Sequence, residues 1–164
     1  MIDHLESERV ILREMEEKDW IDVHKYASQE RVCEYQPWGP NSEKESGGFV
    51  KQVLIDANQE PRSRFVFSIT LRESREMIGA GEFNIRDHTN KVGEIAYIVN
   101  PKYWGMGFAT EVAKLLIAYG FHECNLHRIF ATCDPRNIGS SRVLEKVGMT
   151  KEGRIREHLL IKDG

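Results

Sequence analysis

The chain has 164 residues, of which 40% are hydrophobic and 30% are charged, and its formal net charge is −3; this length supports a sizeable core, so we expect a single domain over residues 1–164. The slight acidic excess argues against a nucleic-acid partner, because nucleic-acid-binding domains usually carry a basic excess. The N-terminus has no signal-peptide pattern and no apolar run approaches ~18 residues, so we expect no membrane partner and a cytoplasmic location.

The N-terminal third of the chain is predicted to contain one strand and two helices. Residues 9–13 have a short strand pattern, and an amphipathic helix follows that ends near Ala27. A second helix is predicted from an N-cap at Ser42, with Glu45 in the capping-box position, to about Ala57.

Three strands are predicted in the middle of the chain. Residues 65–71 alternate in the pattern of a strand, and further strands are predicted over 77–86 and 92–99, joined by a turn at 87–90. Because these strands are close in sequence, we expect them to form an antiparallel meander.

The C-terminal half alternates between helix and strand patterns. After the glycines at 105 and 107, a helix is predicted whose core face carries apolar side chains at helical spacing. A strand over 127–134 and a helix over 138–147, closed by Gly148, come next. A strand over 149–162 is predicted last.

The last residues, Asp163-Gly164, form a hairpin signal that has no returning strand after it. Either the preceding strand is a natural edge or the chain stops before its last strand, and we favour the second interpretation. A missing strand would leave an open edge that can pair with another chain, so a homodimer is compatible with the sequence.

Cysteine usage argues against a disulfide framework and against a zinc site. The three cysteines, Cys33, Cys124 and Cys133, are odd in number and form no Cys-x-x-Cys pair. Catalysis through an acyl-cysteine intermediate would need a histidine to activate the thiol, and the sequence pattern places no histidine beside Cys133. We therefore expect reduced, structural cysteines and no metal.

The most informative segment is residues 100–111, between a predicted buried strand and a predicted helix. Gly105 and Gly107 at the mouth of that helix allow a tight turn and a close approach to a ligand. The N–H groups of the first helical turn offer donors and partial positive charge to an anion, typically a phosphate. Taken alone, the segment also fits a tight turn that binds nothing.

Two common nucleotide motifs do not fit this segment. A Walker loop requires Gly-Lys-Ser/Thr, which is absent. A dinucleotide fingerprint requires a third glycine where Thr110 stands and a βαβ unit, whereas this loop follows a predicted meander.

The segment instead resembles the acetyl-CoA loop of the GNAT N-acetyltransferases. Its Lys102-x-x-Gly105-x-Gly107 matches that family's Q/R-x-x-G-x-G/A pattern, with Lys102 in place of the usual Gln or Arg. Residues 134–149 are similar to the N-x-x-S-x-x-x-x-x-k-x-G-F/M segment of the RimJ/RimL-like branch, the ribosomal-protein N-terminal acetyltransferases. The opening residues 5–13 are similar to the first strand of that branch.

This resemblance implies an α/β fold with a mixed, mostly antiparallel sheet flanked by helices, here without the family's last strand. It implies an acetyl-CoA co-substrate and direct transfer to a primary amine within a ternary complex. A protein N-terminal amine is the expected acceptor, and a small amine (a polyamine, amino acid or antibiotic) is the alternative. A non-catalytic acyl-CoA-binding module is a rival from another functional class.

Two residues are candidates for acid–base chemistry. Glu94 is a carboxylate that opens a mostly apolar strand, so it is a candidate base or a solvent-exposed strand end. Ser140 lies in the first turn of a predicted helix, where a capping hydroxyl is the plain interpretation. The resemblance implies that Glu94 is the base and that Ser140 donates a proton to the leaving sulfur.

The resemblance also implies two sets of binding residues. Tyr35 and Trp38 would line the acceptor pocket, although a packed cover over the core is equally compatible with them. The acetyl-CoA set consists of the Asn137 side chain on the pantetheine arm, a backbone N–H near Ile98 or Val99 for the oxyanion, and the pyrophosphate cradle of Gly105, Met106, Gly107, Phe108, Ala109 and Thr110.

Overall fold

A computed structural model describes residues 5–34, 36, 38–132 and 138–149 of the chain. Its elements are strands β1 (Leu5–Glu6), β2 (Val10–Glu14), β3 (Arg64–Leu71), β4 (Met77–Asp87), β5 (Val92–Val99) and β6 (Arg128–Phe130), and helices α1 (Trp20–Ala27), α2 (Glu30–Cys33), α3 (Glu43–Ala57), α4 (Phe108–His122) and α5 (Ile138–Lys146).

The six strands described form one sheet in chain order. Every neighbouring pair from β1 to β5 is antiparallel, and β6 is parallel to β5. The predicted mixed, mostly antiparallel sheet is therefore confirmed. β6 is shorter than the predicted strand over 127–134, since residues 131 and 132 are not in a strand, and residues 133–137 lie outside the described part.

Helices cover both faces of the sheet. One core cluster lies between the sheet and α4, where the Tyr119 ring meets three phenylalanine rings edge-on at 5.7–6.0 Å between centroids. A second cluster lies on the opposite face, where Val23 and Tyr26 of α1 and Val50 and Val53 of α3 are buried. Strand residues therefore alternate between an α4 face and an α1/α3 face.

The local sequence signals for helix ends are confirmed. The hydroxyl oxygen of Ser42 accepts a hydrogen bond from the Glu45 amide (3.1 Å), and the Ser42 amide donates to the Glu45 carboxylate (2.9 Å). Gly148 follows α5 with a φ of +88°, a left-handed conformation that suits glycine after a helix. The four-residue helix α2 was not predicted, because it is too short for a periodic pattern.

One buried charged cluster joins β2 to β3 and to the start of α1. The Arg13 guanidinium donates to both carboxylate oxygens of Asp19, at 2.8 and 2.9 Å. The Glu16 amide (2.7 Å) and the Ser68 hydroxyl (2.9 Å) also donate to Asp19, which is only 2% exposed. Burial alone would raise the pKa of Asp19, but these bonds outweigh it and hold the pKa below its ordinary value.

The predicted last strand, over 149–162, lies outside the described residues except for its first position. In the described part, no helix is long and apolar enough to cross a membrane.

Candidate active site

Strand β5 is paired with β6 along only part of its length in the described residues. Strand β6 pairs with β5 only at Val92, Gly93 and Glu94, although β5 continues to Val99. Beyond Glu94, no described residue on the β6 side of β5 is paired with it. We call this stretch of β5, residues 95–99, the fork.

Backbone alternation shows which groups of β5 face the fork. The Asn100 amide donates to the Ile78 carbonyl of β4 at 2.7 Å, so even-numbered residues here direct their amides toward β4. The Ile98 amide therefore faces β4, and the Val99 amide faces away from it. The Val99 carbonyl also points away from β4, where it accepts a 2.7 Å hydrogen bond from the Trp104 indole. Of the two amides proposed from the resemblance, the geometry favours that of Val99.

Glu94 is the last β5 residue that is paired with β6. Its carboxylate accepts a hydrogen bond from the Arg86 guanidinium at 2.8 Å and one from the Thr132 hydroxyl at 3.3 Å, and its side chain is 17% exposed. The Glu94 side chain is therefore more buried than that of a freely solvated strand end. A carboxylate has about four lone-pair sites, so two bonds leave capacity to accept a proton or a water.

Ser140, the third residue of α5, lies beside a tyrosine of β5. Its hydroxyl oxygen is 3.2 Å from the phenol oxygen of Tyr97. Tyr97 packs against the α4 core cluster, whereas Ile98 packs against the α1/α3 cluster. Since Glu94 shares the face of Ile98, Glu94 and Ser140 lie on opposite sides of β5. Asn137, the other residue expected near Ser140, lies outside the described residues.

The glycine segment forms a short turn followed by α4. Gly105 and Gly107 have φ angles of +77° and +82°, in the left-handed region where other residues are strained. Gly107 is the N-cap of the 15-residue helix α4, and no side chain caps it. The amides of Phe108, Ala109 and Thr110 in the first turn are therefore oriented outward, as an anion-binding helix start requires.

Arg9 braces this segment, and no local sequence pattern points to it. Its guanidinium donates to the Met106 carbonyl at 2.8 Å and to the Glu111 carboxylate at 3.1 Å. It also lies 4.2 Å from the centroid of the Phe108 ring. The Glu111 carboxylate accepts further bonds from Ser7 and from the Arg9 amide. Arg9 thus fixes the turn and neutralises the carboxylate in the first turn of α4.

The predicted acceptor side is described only in part. Tyr35 lies outside the described residues, and Trp38 is half-buried against the α1/α3 cluster, as a packed cover would be. The Arg31 guanidinium of α2 lies 5.5 Å from the ring centroid of Trp104, which is 49% exposed. The segment around α2 therefore reaches the glycine turn.

Neither described cysteine has the setting of a nucleophile. Cys33 is fully buried, and burial raises the pKa of the Cys124 thiol, so little thiolate would form. Cys133 lies outside the described residues. Among the residues described, no group of three or more His, Cys, Asp or Glu side chains could hold a metal ion.

Comparison with known proteins identifies the family. A family model described as an acetyltransferase (GNAT) domain matches residues 9–150. The uncharacterized N-acetyltransferase YnaD of Bacillus subtilis is 38% identical over 152 residues, which cover 92% of this chain and 84% of YnaD. Two Escherichia coli relatives are more distant. Spermidine N(1)-acetyltransferase is 29% identical, and the match covers 93% of this chain and 78% of the relative. The ribosomal protein uS5-alanine N-acetyltransferase is 26% identical, and the match covers 96% of this chain and 83% of the relative.

Solved structures agree with this assignment. A GNAT acetyltransferase from Bacillus anthracis has 36% sequence identity and a TM-score of 0.80, with coverage of 92% of this chain and 85% of that one. RimL, a ribosomal L7/L12 α-N-protein acetyltransferase solved with coenzyme A, has a TM-score of 0.86 and coverage of 98% and 91%. Its identity is 18%, so it shows a common fold alone. The chain belongs to the GNAT family of acetyl-CoA-dependent N-acetyltransferases.

Proposed function

We propose that this enzyme acetylates a protein N-terminal α-amine by direct transfer from acetyl-CoA. The observation that carries this proposal is the position of the fork. It begins directly after Glu94, and β5 leads on to the left-handed glycine turn, so a carboxylate and an anion-binding helix start lie at its two ends.

In this proposal the donor is held at two places. The amides of residues 105–109 and the Thr110 hydroxyl bind the pyrophosphate, assisted by the partial positive charge of α4. The pantetheine arm lies in the fork, with Asn137 as a further ligand. The Val99 amide stabilises the oxyanion, because its N–H points away from β4 into the fork.

Acid and base act from opposite sides of β5. Glu94 accepts a proton from the attacking amine, directly or through a water, on the α1/α3 face. Ser140 donates a proton to the departing sulfur on the α4/α5 face. This separation suits direct transfer, in which the amine attacks one side of the thioester and the thiolate leaves from another.

The charges near the fork favour an α-amine over a polyamine. An α-amine has a reference pKa of about 7.7–8.0 and a lysine-type amine about 10.4, so an α-amine is more readily neutral near pH 7. A polycation would be held best by several unpaired carboxylates. At the fork Arg86 is already paired with Glu94 at 2.8 Å, and on the same face of the sheet Arg64 bridges Asp56 and Glu82 at 3.0 and 3.2 Å. The similarity to a spermidine acetyltransferase keeps a small amine as the second candidate.

The assigned roles are tested by measuring turnover and CoA affinity on the same preparations. We expect Glu94→Gln and Ser140→Ala to lower kcat by about 10²-fold, at the low end for lost acid–base catalysis, with the Kd for CoA within about twofold. Arg86→Gln is the matched control, because it removes the ion pair of Glu94 and keeps the carboxylate. Wild-type kcat in both the Glu94→Gln and the Ser140→Ala proteins, or an equal loss in the Arg86 control, would refute the roles.

A further inference from the structure

We propose that Tyr97 is the positioning residue for Ser140 and the source of the proton that Ser140 passes to the leaving sulfur. This inference rests on the proposed function, in which Ser140 is the acid. It adds a residue of β5, from the centre of the sheet, to the acid side of the site.

The geometry brings the two hydroxyl groups together across two elements. The phenol oxygen of Tyr97 is 3.2 Å from the hydroxyl oxygen of Ser140 and 3.5 Å from the Ser140 carbonyl, and either hydroxyl can donate in the shorter contact. Tyr97 is half-buried and its ring packs against the α4 core cluster, so its phenol is held in place on the side of β5 where α5 lies.

The direction of this hydrogen bond follows from acidity. A phenol is a much stronger acid than an alcohol, and an alcohol oxygen is the better acceptor, so Tyr97 is the natural donor to Ser140. Ser140 then keeps its own hydrogen for another acceptor. If the bond ran the other way, the Ser140 hydrogen would be turned toward Tyr97 and away from a thiolate.

The chemistry of the leaving group gives the relay its purpose. Serine alone would become an alkoxide on protonating a thiolate, which is strongly unfavourable. The ordinary pKa of a tyrosine phenol is about 10 and that of a thiol about 8.5, so a phenol is a far closer match. As the carbon–sulfur bond breaks, the Ser140 hydrogen moves to sulfur and the Tyr97 hydrogen moves to Ser140. The products are a thiol, a neutral serine and a phenolate, and the phenolate recovers a proton from solvent, which receives the one that Glu94 took from the amine.

The test uses Tyr97→Phe, which keeps the ring and removes the hydroxyl. We expect kcat to fall by about 10²-fold, as for Ser140→Ala, because Ser140 without the phenol has no proton source, while the KM for acetyl-CoA stays within about twofold. The double variant with Ser140→Ala should be no slower than Ser140→Ala alone, since both act in one relay. Tyr119→Phe is the matched control, because it removes a phenol from the core on the same face of the sheet and should keep wild-type kcat.

A second variant separates the relay from a packing effect. We expect fluorotyrosine at position 97 to raise kcat at neutral pH, because a more acidic phenol is a better proton donor. A wild-type kcat for Tyr97→Phe, or a kcat that does not respond to fluorination, would overturn the inference while a slow Ser140→Ala protein keeps the proposed function intact. A wild-type kcat for Ser140→Ala would instead refute the acid assigned in the proposed function, and this inference with it.

Discussion

Substituting alanine for Gly107 tests whether the left-handed cap of α4 is needed to bind the donor. Gly107 has a φ of +82°, and an added Cβ would meet only the end of the Arg9 side chain, at 3.3 Å. That side chain can move, so the steric cost is small. The dominant cost is the backbone, because an L-residue in the left-handed region loses about 1–2 kcal/mol.

That strain appears in binding as well as in folding. If the free protein relaxes by leaving the left-handed conformation, CoA must restore it, and affinity falls by up to the full strain. About 1–2 kcal/mol corresponds to a five- to thirtyfold increase in the Kd for CoA, since about 1.4 kcal/mol is a factor of ten. The free energy of unfolding should fall by no more than about 1–2 kcal/mol.

Gly48→Ala is the matched control because it makes the same chemical change within helix α3. An added Cβ there meets nothing within 4 Å, so this variant should gain about 0.5–1 kcal/mol of stability and bind CoA as the wild type does. Isothermal titration with CoA and a denaturant melt measure both quantities on each variant. A Gly107→Ala protein that binds CoA with wild-type affinity would refute the cradle.

Two further predictions concern Arg9 and the Asp19 cluster. Arg9→Met should raise the KM for acetyl-CoA roughly two- to tenfold, because the Arg9 side chain is half-exposed and a hydrogen bond is then worth about 0.5–1.5 kcal/mol. The KM for the acceptor should stay unchanged because only the donor turn is braced, and an equal rise in both KM values would contradict this role. The pKa of Asp19 is held below its ordinary value of 3.8, so its stabilisation is complete above that pH and is lost as the pH falls through the lower folded value. Asp19→Asn should lower the free energy of unfolding by about 1.5–3 kcal/mol at pH 7. Below about pH 4 the free energy of unfolding of this variant should fall less steeply with decreasing pH than that of the wild type, and an equally steep fall would argue against the cluster.

Elements with local signals could be predicted from the sequence. The Ser42 and Glu45 capping box, the alternation along β3 and the glycine after α5 each depend on residues a few positions apart. The same holds for the turn at Gly105 and Gly107, whose left-handed conformations match the reason for expecting glycine there. The family followed because this turn and the segment after β6 occur in the expected order.

Features that depend on distant contacts could not be predicted. Arg9 reaches the Met106 carbonyl across 97 positions in the chain, and Tyr97 reaches Ser140 across 43. No periodicity marks either pair. The fork likewise depends on the pairing of β5 with β6, two strands that helix α4 separates in the chain. The predicted binding residues Tyr35 and Asn137 stay predictions, because they lie outside the described part of the chain.

The central claim, acetyl transfer to an α-amine at the fork, is tested most directly by mass spectrometry of acceptors after incubation with acetyl-CoA. A mixture of N-terminal peptides, lysine-containing peptides with blocked N-termini and spermidine is given to the wild type and to Glu94→Gln. We expect the mass of one acetyl group to appear on peptide α-amines with the wild type and to accumulate about 10²-fold more slowly with Glu94→Gln. Acetylation confined to spermidine or to lysine side chains, or equal rates with both proteins, would contradict the account.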